Sequence, residues 1–267
     1  MGAGLQTTVT GPTYDPDAQL FFNAQTAAGV SLTLTQKSAV NQWVVDAKAA
    51  GIWTKMKAVY PMVGGTATSH KFNLKNPLDT NAAFRLVFSG GGTHSANGYQ
   101  PGGVNGYANT FLNSLNNLTA TSAHLSFYSR TATVGAIVDM GNANSLGGSN
   151  IIHLRAAANF VAGSTASITS FTTTGSALGF WIGSKRSNTD RETYLNGTTQ
   201  STVATSDTTA FNNFNIFLGA SNVVGTANNF SAKECAFASI GDGLTDAEAL
   251  ALYNAVNAFQ VTLARNV

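Results

Sequence analysis

Residues 211–253 read FNNFNIFLGASNVVGTANNFSAKECAFASIGDGLTDAEALALY, and they carry the clearest signals of secondary structure in the chain. Its first apolar residues alternate with polar ones, which predicts a strand with one buried face. A second strand is predicted at residues 234–240, before the turn Gly241-Asp242-Gly243. Thr245 and Glu248 then match a capping box, in which each side chain bonds to an amide at the start of a helix.

The helix predicted behind that box spans residues 245–264. Its apolar residues recur at helical spacing and form one stripe on an otherwise polar helix; they are Ala249, Leu252, Tyr253, Val256, Phe259 and Leu263. The chain is therefore expected to close with two strands and a helix packed on their sheet.

The bulk composition excludes several classes of protein. Charged residues make up 10% of the 267 residues, against about 25% in an average soluble domain. The net charge is +2 without a run of Lys or Arg, so nucleic acid is not an expected partner. No stretch of about 18 apolar residues predicts a membrane span, and no signal peptide is recognised. The single cysteine, Cys235, excludes an internal disulfide and is expected to be buried.

The sequence divides into an extended arm at 1–14, a helical segment at 15–57 and a β-sandwich at 58–267. Asp15-Pro16-Asp17 matches a helix start, with Pro at the first helical position. Thr33 and Gln36 match a second capping box. We interpret the segment 15–57 as a docking or assembly element.

The apolar stripes of these two helices must be covered, either by the following domain or by a neighbouring subunit. We assign the stripe to an assembly interface, which predicts a homo-oligomer; its residues are Phe21, Phe22, Val40, Trp43 and Val44.

From residue 58 the pattern changes to short strands separated by Gly, Ser and Asn turns, at the spacing of a β-sandwich. Residues 84–88 are predicted as one strand, and Asn196-Gly197 predicts a tight hairpin. Residues 89–109 are predicted as a long loop.

That loop carries the candidate ligand contacts. Sugar sites use aromatic rings and planar polar groups on loops, and the loop offers His94, Asn97, Tyr99, Asn105 and Tyr107. The alternative is that a loop rich in Gly and Asn only turns a corner of the sandwich. In the first case the partner is a cell-surface glycan.

Catalytic chemistry finds little support. Glycoside hydrolysis needs two nearby carboxyl groups, and the nearest pair, Asp190 and Glu192, is expected at a solvated edge. The four histidines lie far apart without the spacing of a zinc site. Calcium ligation through Asp139, Asp242 or Asp246 lacks a dense oxygen-ligand loop. We therefore predict no enzyme, no metal and no cofactor.

Residues 192–197 (ETYLNG), Phe217-Leu218-Gly219 and residues 244–248 (LTDAE) resemble the concanavalin A-like jelly-roll sandwiches, which include laminin G-like and pentraxin-like domains. The resemblance covers residues 84–260 in outline and is specific from residue 180 onward. It implies a jelly-roll β-sandwich. The pattern departs at 236–243, so the calcium-binding acids of that family cannot be carried over.

A second resemblance lies in residues 51–61 (GIWTKMKAVYP), Gly64-Gly65 and residues 70–75 (HKFNLK). Together with 126–130 (SFYSR) and 237–245 (FASIGDGLT), they resemble segments of bacteriophage virion proteins. This resemblance implies a structural component of a particle, such as a fibre, capsid or tail accessory protein. Its partners would be other virion proteins, and the protein would be made in the host cytoplasm.

The expected function is thus a non-enzymatic virion protein that displays a lectin-like sandwich. The alternatives are a carbohydrate-binding module and, with less support, a glycoside hydrolase.

Overall fold

The chain folds into a β-sandwich with helices on one outer face. The computed structural model describes residues 13–135, 137–145, 151–164, 168–170 and 175–267. Most of the predicted arm at 1–14 therefore lies outside the described residues. Within it, only Tyr14 has a described ring contact, edge-on to Phe22 at 4.9 Å.

Three long helices carry the capping signals that the sequence predicts. The Asp15 side chain caps α1 with Pro16 at the first helical position, and the boxes Thr33–Gln36 and Thr245–Glu248 are both formed. The helices are α1 (Pro16–Ala27), α2 (Leu34–Ala49), α3 (Ala67–His70), α4 (Ser114–Asn117) and α5 (Asp246–Thr262).

The first sheet has the strand order β13-β12-β11-β6-β17-β4-β3, and β1 also pairs with β17. Its strands are β1 (Met56–Tyr60), β3 (Thr93–Ser95), β4 (Gly98–Gln100), β6 (Ala123–Ser129), β11 (Gly179–Ser187), β12 (Asp190–Leu195), β13 (Thr198–Val203) and β17 (Cys235–Gly241).

The second sheet has the order β10-β9-β8-β7-β14-β5-β2, and the hairpin of β15 and β16 joins it at β7. The strands are β2 (Val87–Ser89), β5 (Tyr107–Asn113), β7 (Met140–Ala143), β8 (Ile151–Arg155), β9 (Asn159–Gly163), β10 (Ile168–Ser170), β14 (Asn215–Leu218), β15 (Ser221–Val223) and β16 (Thr226–Asn228). The pair β15–β7 is parallel.

The first sheet is the middle of three layers. Alternate residues of a strand face opposite sides, so Phe127 and Trp181 enter the core between the sheets, whereas Tyr128 and Phe180 pack against the helices. Both faces of β6 and β17 are therefore buried throughout. Full burial of one large apolar side chain contributes roughly 1.5–3 kcal/mol, so covering the outer face with helices adds a second core.

The structure confirms the mainly β sandwich with N-terminal helices and a C-terminal helix. It also confirms the turn at Asn196-Gly197, where both residues have positive φ, 49° and 76°. The predicted helical segment 15–57 ends earlier, since β1 begins at Met56 and pairs with β17. The helices of that segment belong to the same core as α5.

Two expectations are wrong. Residues 84–88 do not form one strand, because Phe84 adopts a left-handed conformation with φ 60° after a short helical turn. Only Val87–Ser89 pairs, as an edge strand against β5. The predicted loop 89–109 contains the hairpin of β3 and β4 and the beginning of β5.

Candidate binding cleft at the edge of the sandwich

Each sheet ends in a short strand at the same side of the sandwich, β3 in the first sheet and β2 in the second. The hairpin of β3 and β4 is held close to β17, where Cys235 pairs with Tyr99. A Cβ atom at Gly98 would stand 2.1 Å from the carbonyl oxygen of Cys235. Gly98 also has φ 144°, so only glycine allows this close approach.

A cluster of four rings closes this side. His94 stacks on Tyr99 at 4.8 Å between ring centroids, and Phe88 stands edge-on to His94 at 4.5 Å. The Nδ1 atoms of His70 and His94 are 2.9 Å apart, so one imidazole donates a hydrogen bond to the other. We call these residues, His70, Phe88, His94 and Tyr99, the ring cluster.

Burial keeps this histidine pair neutral. It lowers the pKa of His70 to about 3, and the nearby charges of His94 and Arg265 add to the effect. Burial also lowers the pKa of His94. The hydrogen bond between the rings requires at least one unprotonated Nδ1, which these directions provide at neutral pH.

Beside the ring cluster lies an open cleft of about 310 Å³, lined by Ala67, Thr68, Lys71, Arg85, Leu86, Val87 and Phe88. Phe88 is half-buried and Val87 is 36% exposed, so both side chains reach solvent. The walls are tied together by a backbone hydrogen bond from Leu86 N to the carbonyl of Lys71 at 2.7 Å. The cleft is thus bounded by an aromatic ring, a hydroxyl and two cations.

Asp79, which does not line the cleft, forms ion pairs with both Lys71 and Arg85. Lys71 Nζ lies 2.6 Å from Oδ2 of Asp79, and Arg85 Nη1 lies 2.9 Å from its Oδ1. Arg85 Nε donates to the side chain of Asn81 at 3.0 Å. The hydrogen bond from Lys71 is the main cause of the lowered pKa of Asp79. Lys71, Asp79 and Arg85 are called the cleft triad below.

The structure separates the five predicted ligand contacts. Tyr99 is 1% exposed, so it is a core residue, and His94 covers its ring. His94 itself is half-buried in the ring cluster, and Asn97 is exposed at the hairpin turn. Asn105 accepts a hydrogen bond from the amide of Gly91 at 2.9 Å, which braces the loop.

Tyr107 lies elsewhere, on β5 of the second sheet. It is half-buried and stacks on Phe217 at 4.6 Å. The five residues therefore do not form one site. The sequence missed Lys71 and Arg85 because they lie 14 residues apart in a region without a recognisable motif; the shared acid, Asp79, was the available signal.

The residues assigned to an assembly interface are side chains of the helix-covered core. Phe21, Val40 and Val44 are 0% exposed, Trp43 is 1% exposed and Phe22 is 2% exposed. Of the two expected covers, the following domain is the one observed. An oligomer would have to use other side chains, such as Leu20 and Leu34, which are 56% and 71% exposed.

The acids considered for catalysis are bound to an arginine. Asp190 Oδ1 and Glu192 Oε1 lie 2.6 Å and 2.8 Å from the same atom, Arg186 Nη2. The side chain of Glu192 is only 10% exposed, which corrects the expectation of a solvated edge. Both carboxylates therefore serve as partners of one guanidinium.

The three acids considered for calcium each contact a cationic side chain. Asp139 is fully buried with Lys233, whose Nζ lies 2.8 Å from its Oδ2. Asp242 pairs with Lys57 at 3.3 Å, and Asp246 pairs with Arg186. Among the described residues, no group of three or more His, Cys, Asp or Glu side chains could hold a metal.

None of the helices in the described ranges is both long enough and apolar enough to cross a bilayer.

No protein-family model matches the sequence, and no curated protein matches it. Among solved structures, the chain is similar to domain 4 of AbnA, a GH43 extracellular arabinanase from Geobacillus stearothermophilus, in complex with arabinotriose. The identity is 14%, the match covers 74% of this chain and 98% of that one, and the TM-score is 0.46.

Two further similar structures are sugar-binding proteins by their descriptions. One is botulinum neurotoxin type C, whose cell entry depends on two ganglioside molecules, at 14% identity over 78% of this chain and 53% of that one, with a TM-score of 0.48. The other is the Ruminococcus gnavus IT-sialidase CBM40 bound to α2,3 sialyllactose, at 12% identity over 49% and 80%, with a TM-score of 0.36. At these scores, none of the three assigns a ligand to this chain. The virion role gains no support from them and stays a prediction.

Proposed function

We propose that the chain is a carbohydrate-binding module that holds a glycan in the edge cleft and does not cleave it. The observation that carries the proposal is the half-buried ring of Phe88 beside two cations that are already held in place by Asp79. Sugars bind to aromatic rings through their apolar faces and to fixed polar groups through their hydroxyls. The cleft offers both kinds of contact.

The size and the stiffness of the cleft support this function. A volume of about 310 Å³ is at the lower end of the range for ligand sites, which is roughly 300–1,000 Å³. Asn73 fixes the neighbouring segment, since it accepts from the amide of Val59 at 2.9 Å and donates to the carbonyl of Ala83 at 3.0 Å. A site whose groups are held before binding loses less entropy when the ligand arrives.

The positions of the acidic residues support binding without cleavage. None of the residues that line the cleft is acidic, whereas glycoside hydrolysis needs a pair of carboxyl groups at the bond. Asp190 and Glu192 belong to β12, four strand positions from β4 in the first sheet. Since neighbouring strands are about 4.8 Å apart, β12 lies roughly 19 Å from β4 across the sheet.

A glycan array probed with the purified full chain, followed by calorimetry on the best ligand, tests the proposal. Phe88→Ala should weaken binding by about tenfold, since one aromatic contact contributes roughly 0.5–1.5 kcal/mol beyond the apolar area that it buries. Ala67→Leu narrows the cleft from an exposed position and should weaken binding without loss of folding. Tyr107→Ala is the matched control on the neighbouring strand β5, where the ring stacks on Phe217 and does not line the cleft, and this variant should bind normally.

Urea unfolding of each variant separates lost binding from lost folding. If no glycan is retained by the wild-type chain, the proposed function is wrong. If Tyr107→Ala loses the glycan while Phe88→Ala and Ala67→Leu keep it, the site lies on the outer face of the second sheet and the cleft assignment is wrong.

A further inference from the structure

We propose that the glycan class recognised by the cleft carries a carboxylate, as uronic and sialic acids do. This inference rests on the proposed function and deepens it. It comes from the charges that line the cleft and from the hydrogen-bond donors that they leave unused.

The lining is positively charged. Lys71 and Arg85 line the cleft, and no acidic side chain does. Asp79 is the only acid paired with either cation among the described residues, so the cleft triad has a net charge of +1. In a chain in which only 10% of residues are charged, two cations on one cleft form a distinct local field, which attracts an anionic ligand.

The donors of Arg85 are partly used and partly available. Its Nη1 bonds to the carboxylate and the carbonyl of Asp79, at 2.9 Å and 3.2 Å, and its Nε bonds to Asn81 at 3.0 Å. Its Nη2 atom has no hydrogen-bond partner among the described residues. The guanidinium is therefore fixed in orientation on one side and open on the other, which suits a planar carboxylate.

Lys71 supplies a second donor to the same space. Its ammonium group donates one hydrogen bond to Asp79, at 2.6 Å. An ammonium can donate three hydrogen bonds. The side chains of Lys71 and Arg85 are 23% and 31% exposed. Partial burial weakens the screening of their charges by salt, compared with fully exposed groups.

A neutral sugar would leave this charge without a complement. A nucleic acid backbone is also a poor fit, because its affinity comes from a row of cations and the cleft has two. A single carboxylate on a sugar ring matches the two donors, while the ring lies against Phe88.

The experiment compares matched ligands on the full chain: an oligosaccharide ending in glucuronic acid, its methyl ester, the same oligosaccharide ending in glucose, and sialyllactose beside lactose. At least one of the two acids should bind roughly tenfold or more tightly than its neutral counterpart, because a hydrogen bond to a charged group contributes about 1.5–3 kcal/mol. That preference should shrink between about 20 mM and about 200 mM salt.

Arg85→Gln should abolish the preference for the acid, because the acid should lose about tenfold or more in affinity and the neutral ligand clearly less. Lys57→Gln is the matched control, since it removes one positive charge from a pair with Asp242 outside the cleft and should change neither affinity. Arg85→Lys keeps the positive charge but removes the planar guanidinium that can donate two parallel hydrogen bonds. This variant should therefore show a preference for the acid that lies between those of Arg85→Gln and the wild type.

The outcomes separate the two proposals. Equal affinity for the acid, its methyl ester and the neutral sugar, with Phe88→Ala still weakening all of them, would overturn the acidic-ligand inference and leave the glycan-binding function standing. Binding of none of these sugars by a folded chain that also retains nothing on the array would overturn both. An acid preference that survives in Arg85→Gln would also overturn the inference, because the charge would lie elsewhere.

Discussion

The cleft triad and the cluster around Arg186 are built from the same groups in opposite proportions. In the cleft, one carboxylate stands between two cations. Around Arg186, one guanidinium stands among three carboxylates, from Asp190, Glu192 and Asp246. The first group has a net charge of +1 and the second of −2.

The two clusters also differ in how deeply they are buried. Arg186 joins β11 to its neighbour β12 and to the first turn of α5, and Tyr194 donates to Asp246 within the same group at 2.8 Å. The Arg186 and Glu192 side chains are 17% and 10% exposed. In the cleft, Asp79 is 43% exposed and donors remain open. A mostly buried charge cluster that connects three elements acts as a structural joint, whereas an exposed one with open donors can bind a ligand.

The largest expected effect is on stability, when the cluster around Arg186 is disrupted. Arg186→Met would leave the mostly buried carboxylate of Glu192 without its cation, which should lower the free energy of unfolding by about 3 kcal/mol. Lys71→Met, in the cleft, should lower it by less than about 1 kcal/mol, since half-exposed ion pairs contribute little. Urea unfolding followed by fluorescence at neutral pH measures both.

Folded Arg186→Met should still retain the glycan, because the joint is not part of the cleft. Equal destabilisation by the two substitutions would erase the distinction between joint and binding surface.

The next effect is on pH dependence. His70, in the ring cluster behind the cleft, has a pKa of about 3 in the folded chain and about 6.5 when unfolded. Between pH 7 and pH 5 the unfolded chain therefore binds a proton at this site that the folded chain does not. Stability falls with acidification by about 2 kcal/mol from this residue alone.

His70→Gln removes that proton, so the variant should lose about 2 kcal/mol less than the wild type between pH 7 and pH 5. The measurement is a pair of urea titrations at each pH. His124 and His153 contribute equally in both chains and cancel in the difference. Identical losses in the two chains would mean that His70 takes up its proton as readily in the folded chain as in the unfolded one, so that burial does not lower its pKa.

Features set by neighbouring residues were the ones that the sequence could predict. The capping box of Thr245 and Glu248 and the turn at Asn196-Gly197 depend on a few adjacent residues, and both form as expected. The double burial of β17 was partly visible as the apolar run at 235–240. The need to cover the helix stripes was also visible, although the sequence left open what covers them.

The site depends on long-range contacts that no local pattern encodes. Tyr99 looked like an exposed loop aromatic, but pairing of β4 with β17 directs it into the core. The alternation at 84–88 predicted a strand, but the positive φ of Phe84 bends the chain, and the strand begins only at Val87. That bend and the turn before it bring Arg85 next to Asp79 and Lys71, so the cleft triad exists only once the chain has folded.

The smallest expected effect is at the centre of the cleft triad. Asp79→Asn should lower the free energy of unfolding by at most about 1 kcal/mol, because Asp79 is half-exposed and salt screens its ion pairs. The lowered pKa of Asp79 means that its stabilisation is complete above the unfolded value near 3.8 and is lost only as the pH falls through the lower folded value. The difference between wild type and Asp79→Asn should therefore be the same at pH 7 and at pH 5, unlike the difference for His70→Gln. The same urea titrations decide this point. If wild type and Asp79→Asn already have the same free energy of unfolding at pH 5, then Lys71 and Arg85 do not stabilise the Asp79 carboxylate. In that case Asp79 does not hold the two cations in place for a ligand.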